Sequence, residues 1–425
     1  MKGVRFHSFP IVWVHEKEKG NSMSENRLYT EPVAGIPDRM SGNEAVANAI
    51  RQINPDVMPA FPITPSTEIP QFVATMISNG VIDTEFIPVE SEHSSMSAAM
   101  GASAAGARTL TATSSCGLAY MWEMLYVAAS DRLPIVMAVV NRALTGPINI
   151  NADHSDSMGA RDSGWIQIYA ENNQEVYDNF IQAYPIAEHK DVMLPVMICQ
   201  DGFITSHAVE NITLLPDEPV KAFAGEFEPE HYLLKKDETM AVGPYAVSKY
   251  CMEAKKAQAE AMKRAKDVIL EVGKQFGEMS GRSYGFFEGY ELEDAEYVCV
   301  AIGSACGTIK EAIRALRARG IKAGLLKVRV FRPFPAEEIA IALQNAKVIA
   351  IMDRCEGYSA QGGPLAADVM AALYRAKNQA EAFNVLYGLS GRDVQVEDIE
   401  SLYAQMQQIA EGAAYETYQY MGLRE

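Results

Sequence analysis

Apolar and polar positions along the chain alternate between a helical and a strand period, and the regular part of this pattern begins at Ser41. Ser41-Gly-Asn-Glu44 is a capping box, which predicts a helix that runs to about Ile53. After it, the pattern predicts helices over 68–78, 92–107, 119–129 and 173–187 and strands over 57–61, 85–89, 109–113, 134–140 and 194–199. Strands that alternate with helices in this way are typical of a mostly parallel sheet covered on both faces.

The second half of the chain repeats this alternation over a shorter length. One apolar stripe predicts a long helix, and it consists of Met262, Ala265, Ile269, Val272 and Phe276. Strands over 297–302, 325–330 and 348–352 then alternate with two helices that end near residues 319 and 343, which is the pattern of a small βαβαβ domain. Gly303 and Gly307 fit no nucleotide-binding motif and predict only a tight strand-to-helix turn.

The pattern divides the chain into four parts. Residues 1–34 form an N-terminal arm without periodicity, and residues 35–240 form the first α/β domain with a trailing linker. That linker, residues 213–240, is rich in Pro and Glu and is predicted to connect the domains or to contact a neighbouring subunit. Residues 241–290 hold the connecting helix, and residues 291–425 form the second, smaller α/β domain.

Composition and charge exclude several classes of function. The 425 residues include 37 basic and 55 acidic side chains, and the net charge of -18 argues against a nucleic-acid or anionic-membrane surface. No apolar run approaches the length of a membrane helix, and the run over 9–14 is too short for a signal peptide. The six cysteines form no C-x-x-C pair, so this chain alone offers neither a zinc site nor an iron-sulfur site. These features predict a cytoplasmic protein with reduced thiols.

The first candidate for chemistry is the segment Phe61-Pro-Ile-Thr-Pro-Ser66. Each proline fixes its own φ angle and holds the preceding residue extended, so the segment predicts a rigid elbow at the end of a strand. Ligands of open α/β sheets bind at such strand ends. We therefore expect the elbow to present Thr64 to a ligand.

The second candidate is Glu92, which begins a helix made almost wholly of small residues. A helix this thin lets a neighbouring backbone or a flat ring approach closely. Two other interpretations stay open at this point. The small residues can serve tight packing of the helix on the sheet, and the carboxylate can pair with the dipole at the helix N-terminus.

Further polar stretches also lie at predicted strand ends. Residues 111–118 contain a serine-rich turn whose hydroxyl and N–H groups suit an anion, which is a weak signal by itself. Arg142 directly follows a buried strand and is suited either to a bidentate grip on a carboxylate or to a surface ion pair. His154 lies between Asp153 and Asp156, but no further ligand stands at a productive spacing, so we predict no metal site there.

Together and in this order, these stretches resemble the 2-oxoacid:ferredoxin oxidoreductase family, and above all the α subunits of its pyruvate:ferredoxin oxidoreductases (pyruvate synthases). The residues that carry the resemblance are Ser41–Ala45, Phe61–Ser66, Glu90–Ser94, Gly101–Ser114, Asn141–Ala143, Asp153–Asp156 and Val330–Pro335. The resemblance implies a thiamine-diphosphate-binding-like, doubly wound parallel sheet of the pyrimidine type in the first domain. It implies a transketolase C-terminal-like α/β domain in the second.

The resemblance also implies roles for the three candidate side chains. Glu92 would contact N1' of the thiamine aminopyrimidine and share a proton with it. Thr64 would face the cofactor and the substrate, and Arg142 would hold the carboxylate of the 2-oxoacid. The implied activity is the oxidative decarboxylation of pyruvate to acetyl-CoA and CO2, dependent on coenzyme A and thiamine diphosphate, or the reverse synthesis, with ferredoxin as electron partner.

The chain departs from a complete enzyme of this kind. It lacks the G-D-G motif and downstream Asn that hold Mg²⁺ and the diphosphate, since Asp201-Gly202 has no preceding glycine. The resemblance therefore implies a β subunit with the thiamine diphosphate and Mg²⁺ site, a ferredoxin-like subunit with [4Fe-4S] clusters and a γ-type subunit. A dimer of heteromers is expected, with each active site shared between chains.

Two alternatives to this interpretation stay open. The same chemistry could act on oxalate, 2-oxoisovalerate or 2-oxoglutarate, because selection among such side chains is typically worth only about 1–3 kcal/mol. The chain could also be a non-catalytic scaffold. Against that second alternative, Thr64, Glu92 and Arg142 are all present, although a scaffold would be free to lose them.

Overall fold

The computed structural model describes residues 31–424, so the predicted N-terminal arm lies almost wholly outside the described part of the chain. The helices are α1 (Gly42–Ile53), α2 (Glu68–Ser78), α3 (Glu92–Ala104), α4 (Ser115–Tyr120), α5 (Trp122–Ser130), α6 (Ser155–Gly159), α7 (Asn173–Ala187), α8 (Asp217–Ala224), α9 (Ser248–Ser280), α10 (Ala305–Ala318), α11 (Ala336–Ala342), α12 (Pro364–Arg375) and α13 (Val396–Ala410). The strands are β1 (Ile36–Met40), β2 (Val57–Ala60), β3 (Glu85–Pro88), β4 (Leu110–Thr113), β5 (Val136–Asn141), β6 (Ile166–Tyr169), β7 (Val196–Asp201), β8 (Glu210–Leu214), β9 (Phe287–Tyr290), β10 (Tyr297–Ala301), β11 (Ala323–Val328), β12 (Val330–Arg332), β13 (Val348–Asp353), β14 (Glu381–Leu386) and β15 (Tyr418–Tyr420). Within this range, no helix combines the length and apolarity that a membrane crossing requires.

The first domain is built on a sheet with the strand order β12-β6-β7-β5-β4, in which every strand except β12 runs parallel to its neighbours. A bridge between Val57 and Thr109 connects the parallel pair β2-β3 to the β4 edge. Alternate residues of β5 enter different apolar clusters, with Val136 and Val140 on one face and Met137 on the other. Both faces of the sheet are therefore buried, which confirms the predicted doubly covered α/β architecture.

The second domain has a six-stranded sheet in the order β15-β14-β13-β10-β11-β9, parallel except for the β9 edge. This sheet confirms the predicted smaller α/β domain. The two domains also share a sheet, because β12 follows β11 in the chain but pairs antiparallel with β6 of the first domain. Phe331 in β12 is fully buried in an apolar cluster that contains residues of both domains.

Local sequence signals set several helix bounds as predicted. Ser41 is the N-cap of α1, accepts a hydrogen bond from the Glu44 N–H, and donates its own N–H to the Glu44 carboxylate. Helices α2 and α7 have the bounds that periodicity predicts. The single helix predicted over 119–129 is wrong, since the chain forms α4 and α5 with a break at Met121. Met121 is fully buried with a non-helical ψ of 12°, so tertiary packing overrides the local pattern there.

Part of the predicted linker is regular structure that local periodicity does not reveal. Strand β8 pairs antiparallel with β1 from the start of the domain, and α8 is tied to α1 by an ion pair between Arg51 and Asp217 at 2.8 Å. Residues 225–247 form neither helix nor strand. Helix α9 then runs for 33 residues and buries the predicted apolar stripe over its later turns, while residues 248–256 are exposed.

Candidate functional site

The three candidate side chains lie at one edge of the first sheet. Strand β2 leads into the elbow with Thr64, β3 is followed by Glu92, and β5 ends immediately before Arg142. Strand β4, between them in the sheet, leads into the serine-rich turn that begins α4. Carboxyl ends of parallel strands form the ligand-binding edge of open α/β sheets. This topology brings together residues that are far apart in the sequence.

Contacts with the rest of the domain hold the elbow in place, and Thr64 is exposed at its tip. The buried Pro65 accepts a hydrogen bond at its carbonyl from Asn43 Nδ2 at 3.0 Å. Gly202 packs against Pro65 so closely that a Cβ at Gly202 would lie 2.8 Å from Pro65 Cγ. Ser66 closes the turn by donating its N–H and its hydroxyl to the Ile63 carbonyl. These contacts agree with the rigid elbow that the two prolines predict.

Arg142 is buried, with a relative exposure of 8%, and connects the elbow to the loop after β5. Its Nη1 donates to the Thr64 carbonyl at 2.9 Å, and its Nε donates to the Asn149 carbonyl at 2.9 Å. Among residues 31–424, its Nη2 donates to no protein acceptor. Two of the three guanidinium nitrogens thus already donate to backbone carbonyls. A substrate carboxylate would therefore bind at Nη2 and not to the whole guanidinium group.

Glu92 is the first residue of α3 and is also largely buried, with 8% exposure. The N-cap of α3 is Ser91, which accepts from the Ser94 N–H. The carboxylate lies against Gly117, where a Cβ would come within 2.8 Å of Glu92 Oε1 and 2.6 Å of Thr113 Oγ1. Only glycine fits at that point, because any larger residue would collide with Glu92. At this position the carboxylate of Glu92 can also interact with the helix dipole at the N-terminus of α3.

Two hydroxyl groups at the end of β4 are buried without a partner in the described part of the chain, and one of them, Thr113 Oγ1, lies beside Glu92. Thr113 Oγ1 and Ser114 Oγ both lack a hydrogen bond among the described residues. Buried polar atoms are normally satisfied, so unpaired ones next to a shielded carboxylate indicate a place where a polar ligand binds. Because Gly117 has no side chain, Glu92 and Thr113 can pack closely against it.

Cys116 is a member of the site that the sequence did not single out. Its Sγ lies 2.9 Å from Thr145 Oγ1, across the groove between the β4 turn and the loop after β5. Partial burial acts to raise the pKa of the Cys116 thiol, but hydrogen bonds with Thr145 and the charge of Arg142 outweigh it and lower that pKa. Hydrogen bonds with Thr145 and Ser115 thus favour the thiolate form of Cys116, and Arg142 adds a smaller effect.

Asp156 is hydrogen-bonded to both the turn after β4 and the loop after β5. Its carboxylate accepts from the N–H groups of Ser115 and Arg142 at 2.9 and 3.0 Å, and burial raises its pKa to about 6. The sequence analysis places Asp156 beside a candidate metal site and within a stretch that carries the family resemblance, without a role of its own. No local pattern marks the role it has here, because Ser115 lies 41 positions away in the chain.

His154 faces the junction of the two domains. Its Nε2 lies 2.8 Å from Asp201 Oδ1, while Asp201 Oδ2 accepts from Arg354 Nη1 at 3.0 Å and from the Ser304 N–H at 2.9 Å. Burial acts to raise the pKa of Asp201, but Arg354, His154 and Ser304 outweigh it and hold that pKa well below its usual range. Asp201 thus holds the second domain to the first through Arg354 and Ser304.

One acidic cluster among the described residues has the spacing of a metal site, but a lysine fills it. Carboxylate oxygens of Glu171, Glu175 and Glu288 lie within 4.8 Å of one another. Lys327 Nζ lies 2.6 Å from Glu171 and 2.5 Å from each of the other two. The ammonium group provides the positive charge these carboxylates require, so the cluster is an ion-paired contact between the domains.

A cleft of about 1290 Å³ opens elsewhere, between α9 and the second domain, and contains none of the three candidate residues. Its lining includes Lys263, Arg375 and Lys377. Arg375 and Lys377 lie at the C-terminal end of α12, where cations complement the helix dipole, so their charge needs no ligand to explain it. We therefore assign the chemistry to the strand edge of the first domain.

Comparison with known proteins identifies the family of this chain. Residues 48–274 match the thiamine diphosphate-binding domain of pyruvate flavodoxin/ferredoxin oxidoreductase, and residues 295–399 match core domain II of pyruvate:ferredoxin oxidoreductase. Pyruvate synthase subunit PorA of Thermotoga maritima is 50% identical over 386 residues, covering 91% of this chain and 98% of that protein. Ketoisovalerate oxidoreductase subunit VorA of Pyrococcus horikoshii is 44% identical over 373 residues, covering 88% and 94%.

A solved structure agrees at the level of the fold. The 2-oxoglutarate:ferredoxin oxidoreductase from Magnetococcus marinus superimposes with a TM-score of 0.69 at 20% identity, covering 87% of this chain. The present chain spans 65% of the length of that protein's chain. Family models over both domains and a relative 50% identical along almost its whole length lead to one conclusion. The chain belongs to the pyruvate:ferredoxin oxidoreductase family.

Proposed function

We propose that this chain is the α subunit of a pyruvate:ferredoxin oxidoreductase. With its partner chains it converts pyruvate and coenzyme A to acetyl-CoA and CO2 and passes the electrons to ferredoxin, or it runs the reverse synthesis. The observation that carries this proposal is the contact between Arg142 and the Thr64 elbow, at the same strand edge as the buried Glu92. A cytoplasmic location, expected from the reduced cysteines, stays part of the proposal.

The residues around Glu92 fit the pyrimidine end of thiamine diphosphate. Glu92 offers a shielded carboxylate that packs against Gly117, and the hydroxyls of Thr113 and Ser114 lack a partner among the described residues. When bound, the cofactor supplies the carbanion chemistry that breaks the bond between the carboxylate and carbonyl carbons of a 2-oxoacid. In this arrangement Glu92 holds and returns a proton at N1' of the aminopyrimidine. Arg142 and Thr64 orient the substrate.

Exposed aromatic and apolar side chains beside the site fit a partner subunit. Tyr120 is 61% exposed and Trp122 43% exposed, directly after the turn that faces Glu92, and Ile148 is exposed on the loop after Arg142. Aromatic residues of this kind are enriched at protein interfaces, and clustered exposure marks such surfaces. We propose that the β subunit, with the Mg²⁺ and diphosphate contacts, covers this face. Iron-sulfur and γ-type subunits complete the expected dimer of heteromers.

The function is tested with the purified complex. Pyruvate, coenzyme A and a viologen dye are supplied, and acetyl-CoA formation and dye reduction are followed together. We expect the highest kcat/KM with pyruvate, and lower values with 2-oxoisovalerate, 2-oxoglutarate and oxalate. A complex that prefers 2-oxoisovalerate would instead support the activity named for the VorA relative. A complex that oxidises none of them would support a scaffold.

The isolated chain should bind thiamine diphosphate poorly. Its residues contact the pyrimidine end, whereas the diphosphate and Mg²⁺ contacts that dominate the electrostatic attraction belong to the expected β subunit. Titration calorimetry with Mg²⁺ and thiamine diphosphate should therefore give at least a hundredfold weaker binding for the single chain than for the complex. Equal affinities for the two preparations would show that this chain holds the cofactor by itself.

Arg142→Lys should harm pyruvate turnover more than Thr64→Val. Arg142 offers charge-assisted hydrogen bonds and also supports the elbow, and lysine keeps the charge without the planar fork. One charge-assisted bond is typically worth about 1.5–3 kcal/mol, so we expect a roughly 10- to 150-fold loss in kcat/KM. Thr64→Val keeps the branched shape and loses one neutral hydroxyl, worth about 0.5–1.5 kcal/mol.

The ratio of kcat/KM between wild type and each variant decides this order. If Thr64→Val proves the more damaging change, or if Arg142→Lys turns over pyruvate normally, the substrate carboxylate lies elsewhere. Arg161→Lys serves as the control, because this arginine is partly exposed, forms a loose ion pair with Asp162 at 3.8 Å, and donates only to the carbonyl of Met158 in its own segment among the described residues. It should leave kcat/KM unchanged.

A further inference from the structure

We propose that Asp156 is a positioning residue. It fixes the distance between the turn that faces Glu92 and Arg142 at the end of β5. Its role in catalysis rests on the proposed function, because that function assigns the substrate carboxylate to Arg142. The geometry itself stands on contacts among described residues. Asp156 lies in α6, directly below the site, and is 3% exposed.

Four donors converge on this one carboxylate. Oδ2 accepts from the Ser115 N–H at 2.9 Å and from the Arg142 N–H at 3.0 Å. Oδ1 accepts from Asn141 Nδ2 at 2.8 Å and from the Ser157 N–H at 2.7 Å. A carboxylate has only acceptor sites, so it satisfies all four donors, whereas an amide would place its own donors against two of them. The charge at this buried position is costly, and the four bonds offset that cost.

The carboxylate also holds a residue in an unusual conformation. Ser115 has a φ of 47°, in the left-handed region that residues with a side chain seldom adopt. Such a conformation persists only where the surroundings fix it. The Asp156 contact and a hydrogen bond from Ser115 Oγ to the Ala143 carbonyl at 2.6 Å provide that constraint. Because Ser115 is two residues before Gly117, a shift of this turn would move Gly117 relative to Glu92.

The test combines kinetics with amide exchange in the assembled complex. In Asp156→Ala we expect KM for pyruvate to rise at least tenfold, with a smaller change in kcat, because Arg142 loses its fixed position. The amides of Ser115 and Arg142 should exchange at least tenfold faster with deuterated solvent, as read by residue-resolved mass spectrometry. If this variant does not assemble, Asp156→Ser is measured in the same way, since serine is too short to reach both amides.

Asp156→Asn should rescue part of the loss. Its oxygen can accept from Ser115 and Arg142, and the amide of Asn141 can turn to accept from the new NH2 group, because Asn141 Oδ1 has no partner among the described residues. The Ser157 N–H loses its acceptor, so the rescue is incomplete. Asp153→Asn is the matched control. Asp153 is a buried acid on the same segment, but its carboxylate accepts from Ser155 and Ser390 and contacts neither the Ser115 N–H nor the Arg142 N–H. Its link to the loop after β5 runs only through Ser155 Oγ, which accepts from the Leu144 N–H. It should leave KM and both exchange rates unchanged.

Two outcomes would overturn the proposal. One is an assembled Asp156→Ala or Asp156→Ser complex with wild-type KM and wild-type exchange at both amides. The other is a wild-type chain in which the amides of Ser115 and Arg142 exchange as fast as those of the exposed residues Thr145, Gly146 and Ile148. A wild-type complex inactive with every 2-oxoacid would remove the proposed function instead, and the exchange rates would still decide whether Asp156 fixes the two loops.

Discussion

Glu92→Gln is expected to lower kcat of the assembled complex by about 10²- to 10⁴-fold, the usual cost of losing a positioned acid-base group. Glutamine has the shape of glutamate, so it fits the space beside Gly117 without moving the β4 turn. It cannot exchange a proton with N1' of the aminopyrimidine. The substitution therefore separates proton transfer from packing. The measurement is pyruvate-dependent reduction of a viologen dye at saturating thiamine diphosphate, with subunit assembly checked by size-exclusion chromatography.

Glu90→Gln is the matched control for this experiment. Glu90 lies two residues earlier, is exposed, and hydrogen-bonds to Ser94 rather than facing the groove. Its replacement should leave kcat unchanged. Near-normal turnover in Glu92→Gln, or a large loss in Glu90→Gln, would mean that the cofactor partner has been assigned to the wrong carboxylate. A Glu92→Gln complex that fails to assemble would point to the dipole interpretation, in which the carboxylate stabilises the start of α3.

The parts of the fold that the sequence predicts are those with local causes. The capping box at Ser41 fixes the start of α1, and the bounds predicted for α2 and α7 match those of the structure. The placement of the candidate residues at strand ends follows from alternating strands and helices, because parallel strands end at one edge. The roles of Thr64, Glu92 and Arg142 come from the family resemblance and stay predictions.

The parts that the sequence does not reveal depend on contacts between distant segments. Strand β1 has no partner nearby in the chain and pairs with β8, more than 170 positions later. Strand β12 belongs to the second half of the chain yet completes the first sheet by pairing with β6. The break at Met121 results from burial of that side chain. Asp156 and Asp201 are likewise ordinary acids in the sequence, and only the folded arrangement surrounds them with donors.

Asp201→Asn is expected to destabilise the chain by about 3–5 kcal/mol, the typical cost of removing one partner from a buried ion pair. The substitution keeps the size of the side chain but leaves the Arg354 guanidinium buried without its counter-charge at 3.0 Å. It also weakens the contact with Ser304 that joins the two domains, and the contact with His154 within the first domain. Asp294→Asn is the control, since its pair with Arg317 is solvent-exposed and should contribute little.

The stability difference between wild type and Asp201→Asn should depend on pH in one direction. The pKa of Asp201 is held below its ordinary value in the folded chain, so its ionised form favours folding at any pH above about 4, the ordinary range for Asp. As the pH falls below that value, the unfolded chain takes up a proton that the folded chain refuses, and the contribution declines. Urea unfolding of both chains at pH 7 and pH 3.5 measures this change. A difference that stays constant, or that grows toward low pH, would show that Asp201 acts through packing and not through its charge.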